Sequence, residues 1–329
     1  MRLPIPWESP FDSYFKLDAL GKEPQVAAHE PLELEFEAAY DIAEEEPEEW
    51  LVDNMIPETG LGLIWGESGT YKTFVALDMM AALHNAHDTA VRVTAWGLDL
   101  TLESTWFGRK IKQCECFYIP LEGHGGITKR IKAWQDANRT LAPFHVRRKP
   151  VDLRNSAVHR DALVKRMNRV PGRKLLLIDT LAQMGGDYDE NGIGMAELVG
   201  ILRDLHFRIP NSIVMAIHHA GKDSSKRERG WSGLRAALEC SLQCKIEKDG
   251  PSLFVSKNRD GESNVGIPFA TIRVDLEYDS GKKESSLVVV PREAQPAATG
   301  TTIEPPLGPG KSFGLRSSEW TYFVAEQGL

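Results

Sequence analysis

Four cysteines in 329 residues are too few to build a disulfide framework. No run of about 18 apolar residues occurs, so a membrane-spanning helix is not expected. The first ten residues, Met1 to Pro10, lack the apolar stretch of a secretory leader. Together these absences point to a reducing, cytoplasmic setting, and no membrane partner is expected. An excess of positive charge is missing too: the net charge is −8. That excludes a stand-alone nucleic-acid coat, which would be strongly basic.

The charge is unevenly spread. Residues 1–56 hold 15 acidic against 3 basic side chains, and the remainder holds 32 against 36. The acidity therefore belongs to the N-terminal segment, and the rest of the chain is mildly basic. Residues 1–49 are rich in Pro and Glu and read as an acidic, flexible arm with at most a short helix. It is either a plain leader or a partner-binding arm. Of the whole chain 42% is hydrophobic, enough for a sizeable core.

From Trp50 the pattern changes. Short apolar runs at Leu61 to Trp65, Cys116 to Ile119, Lys174 to Ile178 and Ser212 to Ile217 read as buried strands. Helical patterns lie between them at Phe74 to Leu83, Ile127 to Asn138, Ala157 to Arg169 and Met195 to Phe207. Alternating strands and helices predict a mostly parallel sheet flanked by helices. The strands from Leu242 to Val290 come without helices between them and are expected as antiparallel additions at one edge. This gives one folded domain over residues 50–290 with an insertion at about 86–112. A linker and a short C-terminal helix, Leu315 to Gln327, occupy residues 291–329.

Gly66-Glu67-Ser68-Gly69-Thr70-Tyr71-Lys72-Thr73 follows a strand and opens a helix, the context a phosphate-binding loop needs. Backbone N–H groups there wrap phosphates, and the helix N-terminus adds a favourable dipole. Lys72 would reach the β- and γ-phosphates of ATP, and the Thr73 hydroxyl would bind Mg²⁺. The pattern expects Gly just before the lysine; Tyr71 stands there, which predicts a negative φ at that position. Lys174-Leu175-Leu176-Leu177-Ile178-Asp179 places a carboxylate at the ligand-binding end of a buried strand, where Asp179 would hold the same ion.

With these motifs the chain resembles the RepA-like hexameric replicative helicases of plasmids and phages, within the RecA-like P-loop ATPases. The similarity covers about Trp50 to Val290. It includes Tyr118-Ile119-Pro120-Leu121-Glu122-Gly123, Ile217-His218-His219-Ala220-Gly221-Lys222 with Arg229 to Ala237 after it, and Ser256-Lys257-Asn258-Arg259-Asp260-Gly261-Glu262. The resemblance implies a RecA-like fold and a ring, a hexamer in the family. It implies ATP hydrolysis coupled to unwinding on single-stranded DNA, with primase or loader as replication partners in a bacterial host.

It also implies roles. Glu122 would activate water from a strand beside the phosphate-loop strand, although it could instead cap the helix near Ile127. His218 or His219 would sense the γ-phosphate; a structural histidine is the alternative. Lys257 and Arg259 would reach a neighbour's nucleotide as a trans-acting finger, with Arg235 as the other candidate and a solvated basic turn as the alternative. Lys222, Lys226, Arg227 and Arg229 would face DNA in the pore, as would the loop Gln183 to Gly194 with its Tyr188, for which a plain surface loop is the alternative. Cys114, Cys116, Cys240 and Cys244 are expected as core residues, against a four-thiolate zinc site. Two rival readings stand beside the helicase: a non-motor recombinase or loader of the same fold, and a small-molecule P-loop kinase.

Overall fold

The computed structural model describes residues 36–44, 49–88, 91–95, 98–185, 193–220 and 232–292. The chain separates into two compact units, Met1–Pro47 and Glu48–Leu329. In the first, the described residues carry helix α1 (Ala39–Ile42).

The second unit opens with a small hairpin, β1 (Trp50–Val52) and β2 (Ile56–Pro57), and continues into β3 (Gly60–Gly66) and α2 (Lys72–His84). Two further hairpins come next: β4 (Val91–Ala95) with β5 (Leu98–Leu102), and β6 (Thr105–Trp106) with β7 (Arg109–Lys110). Then come β8 (Glu115–Pro120), α3 (His124–Asn138), β9 (His145–Val146), α4 (Ala157–Met167), β10 (Lys174–Asp179), α5 (Leu181–Gly185) and α6 (Ile193–Arg208). The unit ends with β11 (Ser212–His219), α7 (Ser232–Ala237), β12 (Cys240–Glu247), β13 (Gly250–Asn258), β14 (Val265–Glu277) and β15 (Lys283–Pro291).

Among the described residues nine strands form one sheet in the order β15-β14-β13-β12-β3-β11-β10-β8-β9. From β12 to β9 all neighbours run parallel; β13, β14 and β15 are added antiparallel. The expected α/β architecture, a P-loop ATPase core with antiparallel strands on its C-terminal edge, is the observed one. Its border differs by one strand, because β12 lies parallel to β3, with Cys240 opposite Gly62 and Gln243 opposite Trp65. The crossover through α7 returns the chain in the direction of β3, and reversal starts only at the tight β12–β13 connection.

Side chains alternate between two cores, as a strand period of two requires. Ile64, Tyr118, Leu175, Leu177, Met215 and Leu242 face α2 and α3. Leu63, Trp65, Phe117, Ile119, Leu176, Ile178 and Val214 pack on the other side with residues of α4, α6 and α7. Every residue of β10 is buried, the signature of a parallel strand covered on both faces. Each of its four large apolar side chains stabilises the fold by about 1.5–3 kcal/mol. Phe269, Leu276, Val288 and Val289 of the β14–β15 ribbon join the first core. The ribbon therefore folds back against α2 and α3, where Lys129 meets Glu284 at 3.6 Å.

The register carries Gly66, His219, Asp179 and Pro120 to one edge of the sheet, the C-terminal ends of the parallel strands. All four cysteines are free and buried in the first core, as expected of core residues. Burial pushes the thiols of Cys240 and Cys244 up to about 12. No described helix is long and apolar enough to cross a membrane.

Candidate functional site

The loop from Gly66 to Thr73 leaves the buried end of β3. A Cβ on Gly66 would collide with the carbonyl oxygen of Cys244, so only glycine fits where the loop begins. The Thr70 hydroxyl donates to the Glu67 carbonyl at 2.8 Å and folds the loop on itself. Gly69 (φ 82°) and Tyr71 (φ 67°) are both left-handed, a backbone arrangement that turns successive N–H groups toward one point.

The left-handed Tyr71 corrects the negative φ expected from its side chain. Holding a residue with a Cβ there costs about 1–2 kcal/mol. The ring packs against Phe74, three residues along, and meets the distant Phe269 edge-on, both at 6.4 Å between centroids. Such pairs contribute about 0.5–1.5 kcal/mol each.

Lys72 opens α2 and is buried, with its ammonium donating to the carbonyls of Gly66 (3.0 Å) and Glu67 (2.6 Å). Burial lowers its pKa, opposed by the nearby Cys244, Asp179 and Glu122. The Thr73 hydroxyl donates to Asp179 Oδ2 at 3.0 Å, and the Tyr118 hydroxyl donates to the same oxygen at 2.7 Å. Burial raises the Asp179 pKa first of all; the Tyr118 and Thr73 hydrogen bonds act against it. A buried carboxylate that shares one oxygen with a hydroxyl on the phosphate-loop helix has the donor set a hard divalent cation takes. The residues present therefore fit Mg²⁺.

Glu122 requires a correction. Its strand, β8, does not lie beside β3: β11 and β10 stand between them. Chain order gave no lateral order. Glu122 nevertheless faces the loop, because the turn after β8 bends over β10. The Leu121 and Glu122 N–H groups both donate to the Asp179 carbonyl, at 2.6 and 3.3 Å. Its carboxylate is 40% exposed and lies 4.0 Å from His219 Nε2. The two histidines thus separate: His218 is fully buried, and His219 reaches the site. The N–H of Ala220 donates to the Gly66 carbonyl, which ties the end of β11 to the start of the loop.

Sequence reasoning missed Arg130. It lies on α3 two turns beyond Glu122, and its guanidinium sits 5.1 Å over the ring of Phe74, the residue after Thr73. Its charge acts on both Asp179 and Tyr118. Among the described residues it makes no hydrogen bond or ion pair. The signal was present: Ile127, Ile131 and Trp134 form the apolar face of α3, and Arg130 falls on that face. Asp78 was also missed. It is buried on α2 and accepts from Trp106 Nε1 (2.9 Å) and Trp134 Nε1 (2.8 Å), joining α2, the β6–β7 hairpin and α3.

The finger candidates lie elsewhere. Lys257 donates to the carbonyls of Arg235 (2.7 Å) and Leu238 (2.6 Å), at the end of α7. Arg259 pairs with Glu239 at 2.8 Å, and Arg235 donates to the Ser256 carbonyl at 2.6 Å. Glu239 in turn donates its N–H to Leu61. This cluster therefore sits at the N-terminal end of β3, five residues or about 16 Å below the phosphate loop of its own chain. A small pocket of about 20 Å³, room for little more than a water, lies there, lined by Trp50, Pro57, Glu239, Asn258, Arg259 and Asp260. Lys222, Lys226, Arg227, Arg229 and Tyr188 lie outside the described residues, as does 293–329 with the expected C-terminal helix.

Residues 28–225 match the family described as AAA domain. No curated protein matches the chain significantly. Among solved structures, a KaiC-like protein of the hyperthermophilic archaeon Pyrococcus horikoshii OT3 is similar, at 15% identity and a TM-score of 0.41. The match covers 73% of this chain and 94% of that one.

Proposed function

This chain belongs to the AAA domain family, and from that premise we propose that it is a ring-forming ATPase that moves on single-stranded DNA and separates duplex. The observation that carries the hydrolytic part is the convergence of Lys72, Thr73, Asp179, Glu122 and Arg130 on one sheet edge. The loop N–H groups bind the phosphates of ATP, and Lys72 turns from the Gly66 and Glu67 carbonyls to join them. Thr73 and Asp179 would hold Mg²⁺, which would supply neutralisation of phosphate charge when bound. Glu122, open to solvent at its carboxylate, takes the proton of the attacking water. Arg130 offers unused donors to the oxygens that gain charge. His219 touches Glu122 and leads directly into the chain after β11, so it links the state of the site to that segment.

The DNA part rests on the motifs of the ring helicases and on one observation. At the same edge, β9 runs into Arg147, Arg148 and Lys149, all exposed and, among the described residues, free of ion pairs. A run of solvated cations beside the nucleotide site suits a phosphate backbone. The measurement that tests the reading is ATPase rate with and without single-stranded DNA, alongside native mass and strand separation of a forked substrate. A monomer with DNA-independent turnover would sink it and leave the small-molecule kinase.

A second reading, a non-motor recombinase or loader of the same fold, is favoured by the engagement of Lys257, Arg259 and Arg235 within their own chain. It expects DNA-stimulated hydrolysis without strand separation.

A further inference from the structure

The phosphate loop depends on a residue almost two hundred positions away. We propose that Phe269 of β14 is a positioning residue for nucleotide, holding the loop in its phosphate-binding shape through the ring of Tyr71. The inference deepens the ATPase reading and rests on it.

The loop needs a left-handed residue between Thr70 and Lys72, and tyrosine resists that conformation. The steric cost converts to a bias of about 5- to 30-fold away from it. Something must hold it. Phe74 lies three residues along, on the first turn of α2, and moves with the loop; it cannot anchor Tyr71 to the rest of the molecule. Phe269 can. It is fully buried and meets Tyr71 at 81° between ring planes. Behind it stands Phe107 at 6.3 Å, which packs on Trp106 at 4.7 Å, whose indole is held by Asp78. Phe269 is thus braced by the β6–β7 hairpin and pairs across the ribbon with Pro291. One aromatic pair is worth about 2- to 13-fold in an equilibrium, the scale needed to offset the bias at Tyr71. Glycine would need no such support, since it adopts positive φ unaided. The ribbon and the tyrosine are therefore two halves of one device: where glycine is absent from the loop, β14 supplies the missing constraint. Any partner that bends the ribbon would change nucleotide affinity.

The test is a double-mutant cycle read by binding of fluorescent mant-ATP with Mg²⁺. Phe269→Leu should weaken affinity by about 2- to 13-fold, mainly through faster dissociation, and should raise KM more than it lowers kcat. In a Tyr71→Gly background the same substitution should have no effect. If Phe269→Leu weakens binding equally in both backgrounds, or in neither, the proposal is overturned. Should Phe269→Leu fail to fold, Tyr71→Leu reads the same contact: it keeps the Cβ and loses the ring, so it should bind more weakly than Tyr71→Gly, and equal affinity would refute the idea. A wild-type chain whose mant-ATP signal matches that of Lys72→Ala would instead remove the ATP-site reading, and the proposal with it.

Discussion

The two edges of the central sheet carry similar side chains put to different uses. At the C-terminal edge Arg130 rests on a ring with its donors unspent among the described residues, and Glu122 stands partly in solvent. At the N-terminal edge Lys257, Arg259 and Arg235 are bound to carbonyls and to Glu239 of their own chain. The first edge is arranged to receive an anion. The second is satisfied as it stands, and about 16 Å of strand separates it from its own loop. The difference lies in what holds the cations: at the first edge Lys72 is bound only to carbonyls of the loop it serves and Arg130 lies over a ring, whereas at the second the cations tie β13 to α7 and to Glu239.

The strongest attack on this contrast is to remove its centre. Lys72→Ala should abolish hydrolysis and most nucleotide affinity, measured by phosphate release and mant-ATP binding, and Asp179→Asn should do nearly the same through loss of the ion. Next, the two edges can be set against each other. Arg130→Ala should slow hydrolysis by about 10³-fold, the scale of an arginine that stabilises phosphoryl transfer. If Arg259 reaches a neighbour's nucleotide, Arg259→Ala should cost as much, and mixing it with Lys72→Ala protein should restore turnover above either alone. If it only secures β13, turnover should stay within a few-fold and mixing should gain nothing.

Glu122→Gln is expected to slow hydrolysis by about 10²-fold or more while ATP still binds. Binding and turnover that fall together would make Glu122 structural.

The smallest effect concerns stability. Burial raises the Asp78 pKa from 3.8 to about 6, against the pull of its two indole partners. The native state then holds a proton that the unfolded chain releases earlier. This contribution is complete below pH 3.8 and is lost as pH rises through 6, about 3 kcal/mol in all. Urea unfolding between about pH 4 and pH 7 should show the decline, and Asp78→Asn should flatten it.

Much of this was legible in the chain. The phosphate loop and Asp179 declared themselves because their chemistry is local: a strand, a turn and a helix in sequence. Leu61 to Trp65 and Lys174 to Ile178 were readable as strands because a doubly buried strand is apolar throughout. What escaped depends on distance. The side-by-side order of β3, β11, β10 and β8 is set by crossovers, so Glu122 was put beside the wrong strand. The φ of Tyr71 is decided by Phe269, and no local rule could supply it. Arg130 could have been found, since a cation on an apolar helical face asks for a partner.

Helix α3 carries a gradient of stiffness. Beyond its first turn it is nailed down by Lys129 on Glu284 and by the Trp134 indole on Asp78. Its first turn contains Gly125 and Gly126, just after the left-handed Gly123, and each glycine weakens a helix by about 1 kcal/mol. Glu122 precedes that glycine-rich end and is held from the other side, by the Asp179 carbonyl. The arrangement resembles a reed clamped at one end: the body of the helix is fixed in the core, and its least helix-favouring residues lie next to the Glu122 carboxylate.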